Sequence, residues 1–160
     1  IHDGTVNDVN PWIKRNQHYR TTAPGLHDVT TGLHYCKRRR VTILKLDVSK
    51  AHRRIKILRK DWKYMTAQIK GKVWVNLVGT YGVASAQYHW GRMAALTVRI
   101  LYATLTEIIW AYVYVDDFAL IIPEEGSLNL TYRIINFLHA LGLTISWKKK
   151  KWHLRPTTPG

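Results

Sequence analysis

Cysteine is nearly absent from this 160-residue chain: Cys36 stands alone. No intrachain disulfide can form, and a reducing compartment is the easier fit. Acidic residues are also scarce, ten against twenty-five Lys and Arg, for a formal charge of +15. No stretch approaches the roughly eighteen apolar residues of a membrane span. The N-terminus, Ile1-His-Asp-Gly, has neither an apolar signal core nor an initiator Met. With Thr157-Thr-Pro-Gly at the other end, the chain is expected to be a piece of a longer one. No internal repeat or low-complexity segment is present. What is abundant is positive charge, with a sequence pI near 10.2. Lys37 to Lys72 holds fourteen of the twenty-five basic residues, opposed only by Asp47 and Asp61. So lopsided a run repels itself unless a polyanion neutralises it, nucleic acid first and an anionic membrane surface second.

The few acids are not scattered evenly. Asp116 and Asp117 sit side by side between two apolar runs, Ile108–Val115 and Phe118–Ile122, rich in Val, Ile, Tyr and Phe. Such flanks favour strands, and a two-residue Asp-Asp connection predicts a tight hairpin. Two adjacent carboxylates repel unless a cation joins them. A third acid, Asp47, ends a β-branched run, Val41-Thr-Ile-Leu-Lys-Leu-Asp47.

Around these lie the other predicted elements. A short helix is expected at Leu26–Tyr35, a helical turn capped by Ser49, a strand at Ile55–Leu58 and a hairpin across Lys70-Gly71 joining 63–69 to 72–78. Apolar residues at helical spacing (Tyr88, Met93, Leu96, Ile100, Leu101) predict a long helix from Ser85 to about Leu105. A second helix spans Leu128–Leu141 with Gly142 as its stop, followed by a strand, Leu143–Trp147. Two helices on one face of a mainly antiparallel sheet make an α+β two-layer domain of ordinary apolar content, large enough to bury a core. Three carboxylates then converge at one sheet end. His27, His34 and Cys36 match no established zinc spacing and lack a fourth ligand.

Hard divalent cations prefer oxygen donors, and Mg²⁺ commonly takes one or two carboxylates plus phosphates and water. Two such ions clamp the attacking and leaving oxygens of an in-line phosphoryl displacement. Clustered carboxylates on a strongly basic chain therefore point to phosphoryl transfer on a polyanionic substrate.

Four segments resemble reverse transcriptases of the retrotransposon type. Tyr114-Val115-Asp116-Asp117 is similar to the family's tyrosine-x-Asp-Asp signature, and Leu46-Asp47-Val-Ser-Lys-Ala51 to its first palm motif. Tyr81-Gly82-Val-Ala-Ser85-Ala86 resembles the Phe-Gly-x-x-x-Ala-Pro segment, and Leu141-Gly142-Leu-Thr-Ile-Ser-Trp147-Lys-Lys149 the Leu-Gly-x-x-x-x-Trp-x-Lys motif. In order and spacing they cover Val41 to Lys149. The resemblance implies a polymerase palm at 41–160, truncated before the thumb, with a partial fingers segment at 1–40.

It further implies RNA-directed DNA synthesis with two Mg²⁺ or Mn²⁺ ions, an RNA template, a DNA primer and dNTPs. Asp47, Asp116 and Asp117 would be catalytic and would hold the metals together with the Val48 carbonyl. Ala51, His52, Tyr81, Gly82, Ser85 and Lys149 would face the nucleotide. Arg38, Arg39, Arg40, Arg53, Arg54 and Tyr114 would contact nucleic acid, the arginines flanking the cleft. Trp62, Tyr64 and Trp74 are candidates for base stacking, although core or sheet-face packing is the favoured reading of each.

Three departures stand out. His52 replaces the aromatic that excludes a ribose 2′-hydroxyl, Gln87 stands where many relatives have Pro, and Tyr81 replaces Phe. A decayed copy that only binds nucleic acid is the rival reading. An RNA-dependent RNA polymerase palm is more distant, because those enzymes usually carry Gly-Asp-Asp. Nothing in the chain resembles a thumb, RNase H domain or integrase, and the expected setting is intracellular, without membrane attachment.

Overall fold

A computed structural model describes residues 10–11, 22–80 and 82–147. Its elements are α1 (Leu26–Tyr35), β1 (Val41–Asp47), β2 (Thr66–Ile69), β3 (Lys72–Val75), α2 (Ala84–Thr104), β4 (Trp110–Tyr114), β5 (Asp117–Pro123) and α3 (Ser127–Ala140). They fall into two compact units. One comprises residues 22–49 and 94–160 and contains a three-stranded sheet; the other, 1–21 and 50–93, contains a two-stranded one. Residues 22–40, expected with the fingers, thus belong to the same unit as the larger sheet. The architecture is α+β, a small antiparallel sheet with helices, compatible with a two-layer arrangement. Among the described residues no helix is long and apolar enough to cross a membrane.

The larger sheet has the order β1-β5-β4, antiparallel throughout. Alternation along each strand assigns its faces. Thr42, Leu44 and Leu46 lie opposite Ile122, Leu120 and Phe118, and all six are buried. Helix α3 follows β5 and contacts it. Its buried Leu130, Ile134 and Leu138 recur every four residues, the stripe a sheet-covering helix requires. The helix ends as the sequence predicts: Gly142 adopts φ +76°, and the Gly142 and Leu143 N–H groups donate back to the His139 and Leu138 carbonyls at 2.9 and 2.8 Å.

The face that carries Trp110, Tyr112 and Ile121 is covered at one end. Here the three form an apolar end. Helix α1 approaches it so closely that a Cβ on Gly32 would collide with the Tyr112 hydroxyl. Tyr112 donates from that hydroxyl to the Asp28 and Val29 carbonyls at 2.9 and 3.2 Å. Burial pushes its pKa up, so it remains a donor. Cys36, Val41 and Ile121 complete this small core with Ile109, Trp110 and Tyr112 around them. The cover stops there. Lys45, Asp47, Asp117 and Tyr114, further along the same face, are half-buried or exposed.

In α2 the buried positions are Ala86, Trp90, Ala94, Thr97 and Leu101, and the predicted core residue Leu96 is 56% exposed. Leu101 is buried as expected and Trp90 joins it, while the small residues Ala86, Ala94 and Thr97 complete the stripe.

The second unit departs more from expectation. Lys50, not Ser49, stands at the N-cap: a 3₁₀ turn, Ala51–Arg54, begins after Lys50, whose φ is +54°. The predicted strand Ile55–Leu58 reduces to a single bridge, Lys56 to Val78. Arg59–Tyr64 coils into a 3₁₀ segment, and β2 starts only at Thr66. The hairpin turn itself is as read: Lys70 and Gly71 both have positive φ, +51° and +72°, as a type I′ turn demands. In the first unit, 143–147 is likewise no strand, retaining only the Val48–Ile145 bridge.

Candidate functional site

The register of β1, β5 and β4 builds the site. Asp47, last in β1, lies directly opposite Asp117, first in β5, and Asp117 lies opposite Tyr114, last in β4. Paired residues share a face, so two carboxylates and a phenol stand in a row across one sheet end.

The turn is not the predicted Asp116-Asp117 but Val115-Asp116, one residue earlier. The reason is packing. Phe118, Leu120 and Ile122 all point into the dry face, and a one-residue slip would expose every one of them. Val115 consequently takes φ +56°, a conformation for which glycine is the usual choice and which costs a β-branched residue about 1–2 kcal/mol. Strain of this kind gathers at functional sites.

Val48 ties the turn to β1. Its N–H donates to the Asp116 carbonyl at 3.0 Å, holding the hairpin tip against the end of β1. On the other edge Ser49 N–H donates to Thr144 O, and Asp47 O accepts from Ser146 N–H, both at 2.8 Å. Those two bonds flank the Val48–Ile145 bridge, so the Val48 carbonyl turns with its own N–H toward the hairpin tip.

The backbone thus brings Asp47, Asp116, Asp117 and Val48 to one place. It does not bring three carboxylates into a closed ligand set: among the described residues no three His, Cys, Asp or Glu side chains form a group that could hold a metal ion by themselves. Asp117 instead pairs with Lys45, Nζ to Oδ2 at 3.6 Å. Lys45 escaped the sequence reading, although its place two residues before Asp47 puts it on the same strand face.

The arginines divide. Arg38, Arg39 and Arg40 are exposed but precede β1, at the opposite sheet end from Asp47, roughly 20 Å along the strand. They do not flank the carboxylates, contrary to expectation, because the strand between them runs straight through the core. Arg39 stacks over Tyr35, 5.7 Å from the ring centroid, and with Arg40 lines an open groove of 550 Å³ beside Glu107 and Pro123. Glu107 is already engaged: its own backbone N–H and the Arg133 guanidinium hold its carboxyl below the usual range. Burial pushes the Cys36 thiol pKa up against the opposing pull of Arg39, so this cysteine is not an activated thiolate.

The remaining candidates lie in the second unit. Ala51 is buried at the start of its 3₁₀ turn, and the half-buried His52 follows it. The turn is clamped from behind, since a Cβ on Gly79 would sit 2.5 Å from the His52 carbonyl oxygen. Arg53 is exposed and Arg54 half-buried. Gly82, at φ +87°, accepts a 2.7 Å hydrogen bond from Asn10 Nδ2, and Ser85 is half-buried in the first turn of α2. Tyr81 and Lys149 lie outside the described residues. Tyr64 and Trp74 are 67% and 58% exposed, which overturns the packing expected of them, whereas Trp62 is half-buried with its indole N–H on the Ile57 carbonyl.

Fold and site together define a small α+β unit presenting carboxylates at a strained hairpin tip. No protein-family model matches the chain, and a search of curated proteins finds no match.

Proposed function

We propose that this chain is the palm and part of the fingers of a retroelement-type reverse transcriptase, an RNA-directed DNA polymerase extending a DNA primer on an RNA or DNA template. One observation carries the reading: Asp47 and Asp117 are register-opposed on an open sheet face, with Asp116 beside them in a turn bonded to Val48.

The donor set fits Mg²⁺ or Mn²⁺. Such ions take one or two carboxylates and complete their shell with phosphates and water, so a closed three-acid cage is not required. Asp47 and Asp116 would hold the two ions, with Asp117 and the Val48 carbonyl assisting. When bound, the ions supply an activated primer hydroxyl and charge neutralisation on the leaving pyrophosphate.

The chain's own residues do the positioning. The dry face locks the register that aligns Asp47 with Asp117, and the Val48–Asp116 bond fixes the tip. Tyr114, exposed beside Asp117, offers a surface for the primer end. Arg53, Arg54 and the basic run around them supply phosphate contacts, which give salt-dependent affinity without sequence choice. Ala51, His52, Gly82, Ser85 and, by resemblance, Tyr81 and Lys149 are assigned to the nucleotide. His52 in place of an aromatic makes sugar discrimination the property to measure.

The test is primer extension on an RNA template, with the chain expressed together with its natural flanking sequence and dNTPs or rNTPs supplied separately. Wild-type extension that falls by a factor of about 10³ or more in Asp116→Asn supports the polymerase. Equal, salt-dependent template binding by both proteins with no extension by either replaces it with a nucleic-acid-binding remnant.

A further inference from the structure

We infer that Lys45 is a built-in competitor for the cation site: its ammonium group occupies the carboxylate face, and a divalent ion that recruits Asp117 must displace it. Lys45 therefore sets the ion concentration at which the site fills. The inference rests on reading Asp47, Asp116 and Asp117 as metal ligands.

Two features place the lysine there, and they are independent. The first is register. Lys45 lies opposite Ala119, two residues before Asp47 and diagonal to Asp117, so alternation puts all three charged side chains on one face. Moving Lys45 to the other face would turn out the buried neighbours Leu44 and Leu46, so its position is held by the core rather than by its own contacts. The second is the ion pair itself, Nζ to Oδ2 at 3.6 Å.

The pair competes and does not lock. The Lys45 side chain is 68% exposed and that of Asp117 38%. Exposed ion pairs of this kind are worth little and exchange readily. A divalent ion that takes Asp117 must still share the face with a unit positive charge a few ångströms away. In a largely aqueous setting this weakens binding by about three- to tenfold.

The experiment is a Mn²⁺ titration followed by the electron paramagnetic resonance signal of the free ion, using the whole chain at low ionic strength. Wild type is compared with Lys45→Met, Lys45→Arg and Asp47→Asn, each checked for an unchanged far-ultraviolet circular dichroism spectrum. Lys45→Met is expected to tighten Mn²⁺ binding about three- to tenfold, with a gain that shrinks as salt is added. Lys45→Arg should resemble wild type, and Asp47→Asn should lose binding. Equal affinity in wild type and Lys45→Met, with loss in Asp47→Asn, overturns the role of Lys45 and leaves the metal site standing. No Mn²⁺ binding by wild type or Lys45→Met overturns this inference, whereas the metal reading itself stands or falls with metal-dependent primer extension.

Discussion

The chain contains two antiparallel sheets built on different principles. In β1-β5-β4 one face is dry and the opposite face is apolar at one end and charged at the other. In β2–β3 every residue except Ala67 is exposed, including Val73, Trp74 and Val75. A two-stranded sheet without a covered face is marginal in water. It is held by its I′ turn and ladder, not by burial. The larger sheet can carry a strained Val115 and a row of carboxylates because its hidden face supplies the stability that the open end lacks. Chemistry that needs fixed geometry belongs on such a support, and the candidate site is found there.

This contrast can be broken most sharply at its buried centre. Phe118 is fully buried beside the carboxylates. Phe118→Ala should cost about 3–5 kcal/mol in urea unfolding and release the register that aligns Asp47 with Asp117, so both stability and the proposed metal binding should fall. A loss below 1 kcal/mol would mean that the dry face is not the support. A middle-sized effect is expected at Gly32, where the added methyl group of Gly32→Ala must displace the Tyr112 ring. A cost of about 1–3 kcal/mol should appear as a lower unfolding midpoint, and an unchanged midpoint would show that α1 does not seat on the sheet as described. The smallest effect belongs to the other sheet. Trp74→Ala should stay within about 0.5 kcal/mol of wild type, and β2–β3 amides should exchange hydrogen faster than those of β1 and β5. A large loss on Trp74→Ala would reveal a covered face and erase the contrast.

Much of this was legible residue by residue. Helix α1 and strand β1 have the predicted bounds because their signals are local: turn residues before the helix and β-branched residues along the strand. Gly142 and Lys70-Gly71 stop and turn the chain as read, since positive φ is a property of a single residue. The candidate site was legible as a set of residues but not as an arrangement. Placing the turn at Val115-Asp116 meant weighing one strained valine against three buried side chains further along β5. Separating Arg38–Arg40 from the acids required knowing that β1 carries them to the far sheet end. Tyr64 and Trp74 were expected inside because aromatics usually are, and nothing local says that a hairpin lacks a cover.

The amino-acid sequence by itself determined the bounds of α1 and β1, the stop at Gly142 and the turn at Lys70-Gly71, where Asp47, Asp116 and Asp117 stand along the chain, and its excess of positive charge. These follow from short-range sterics, side-chain alternation and simple counting. The tertiary structure alone decided the register that sets Asp47 against Asp117, the strain at Val115, the approach of Lys45 and the distance of Arg38–Arg40. Each depends on which face of a strand the core claims, and that choice is made only when distant segments bury one another.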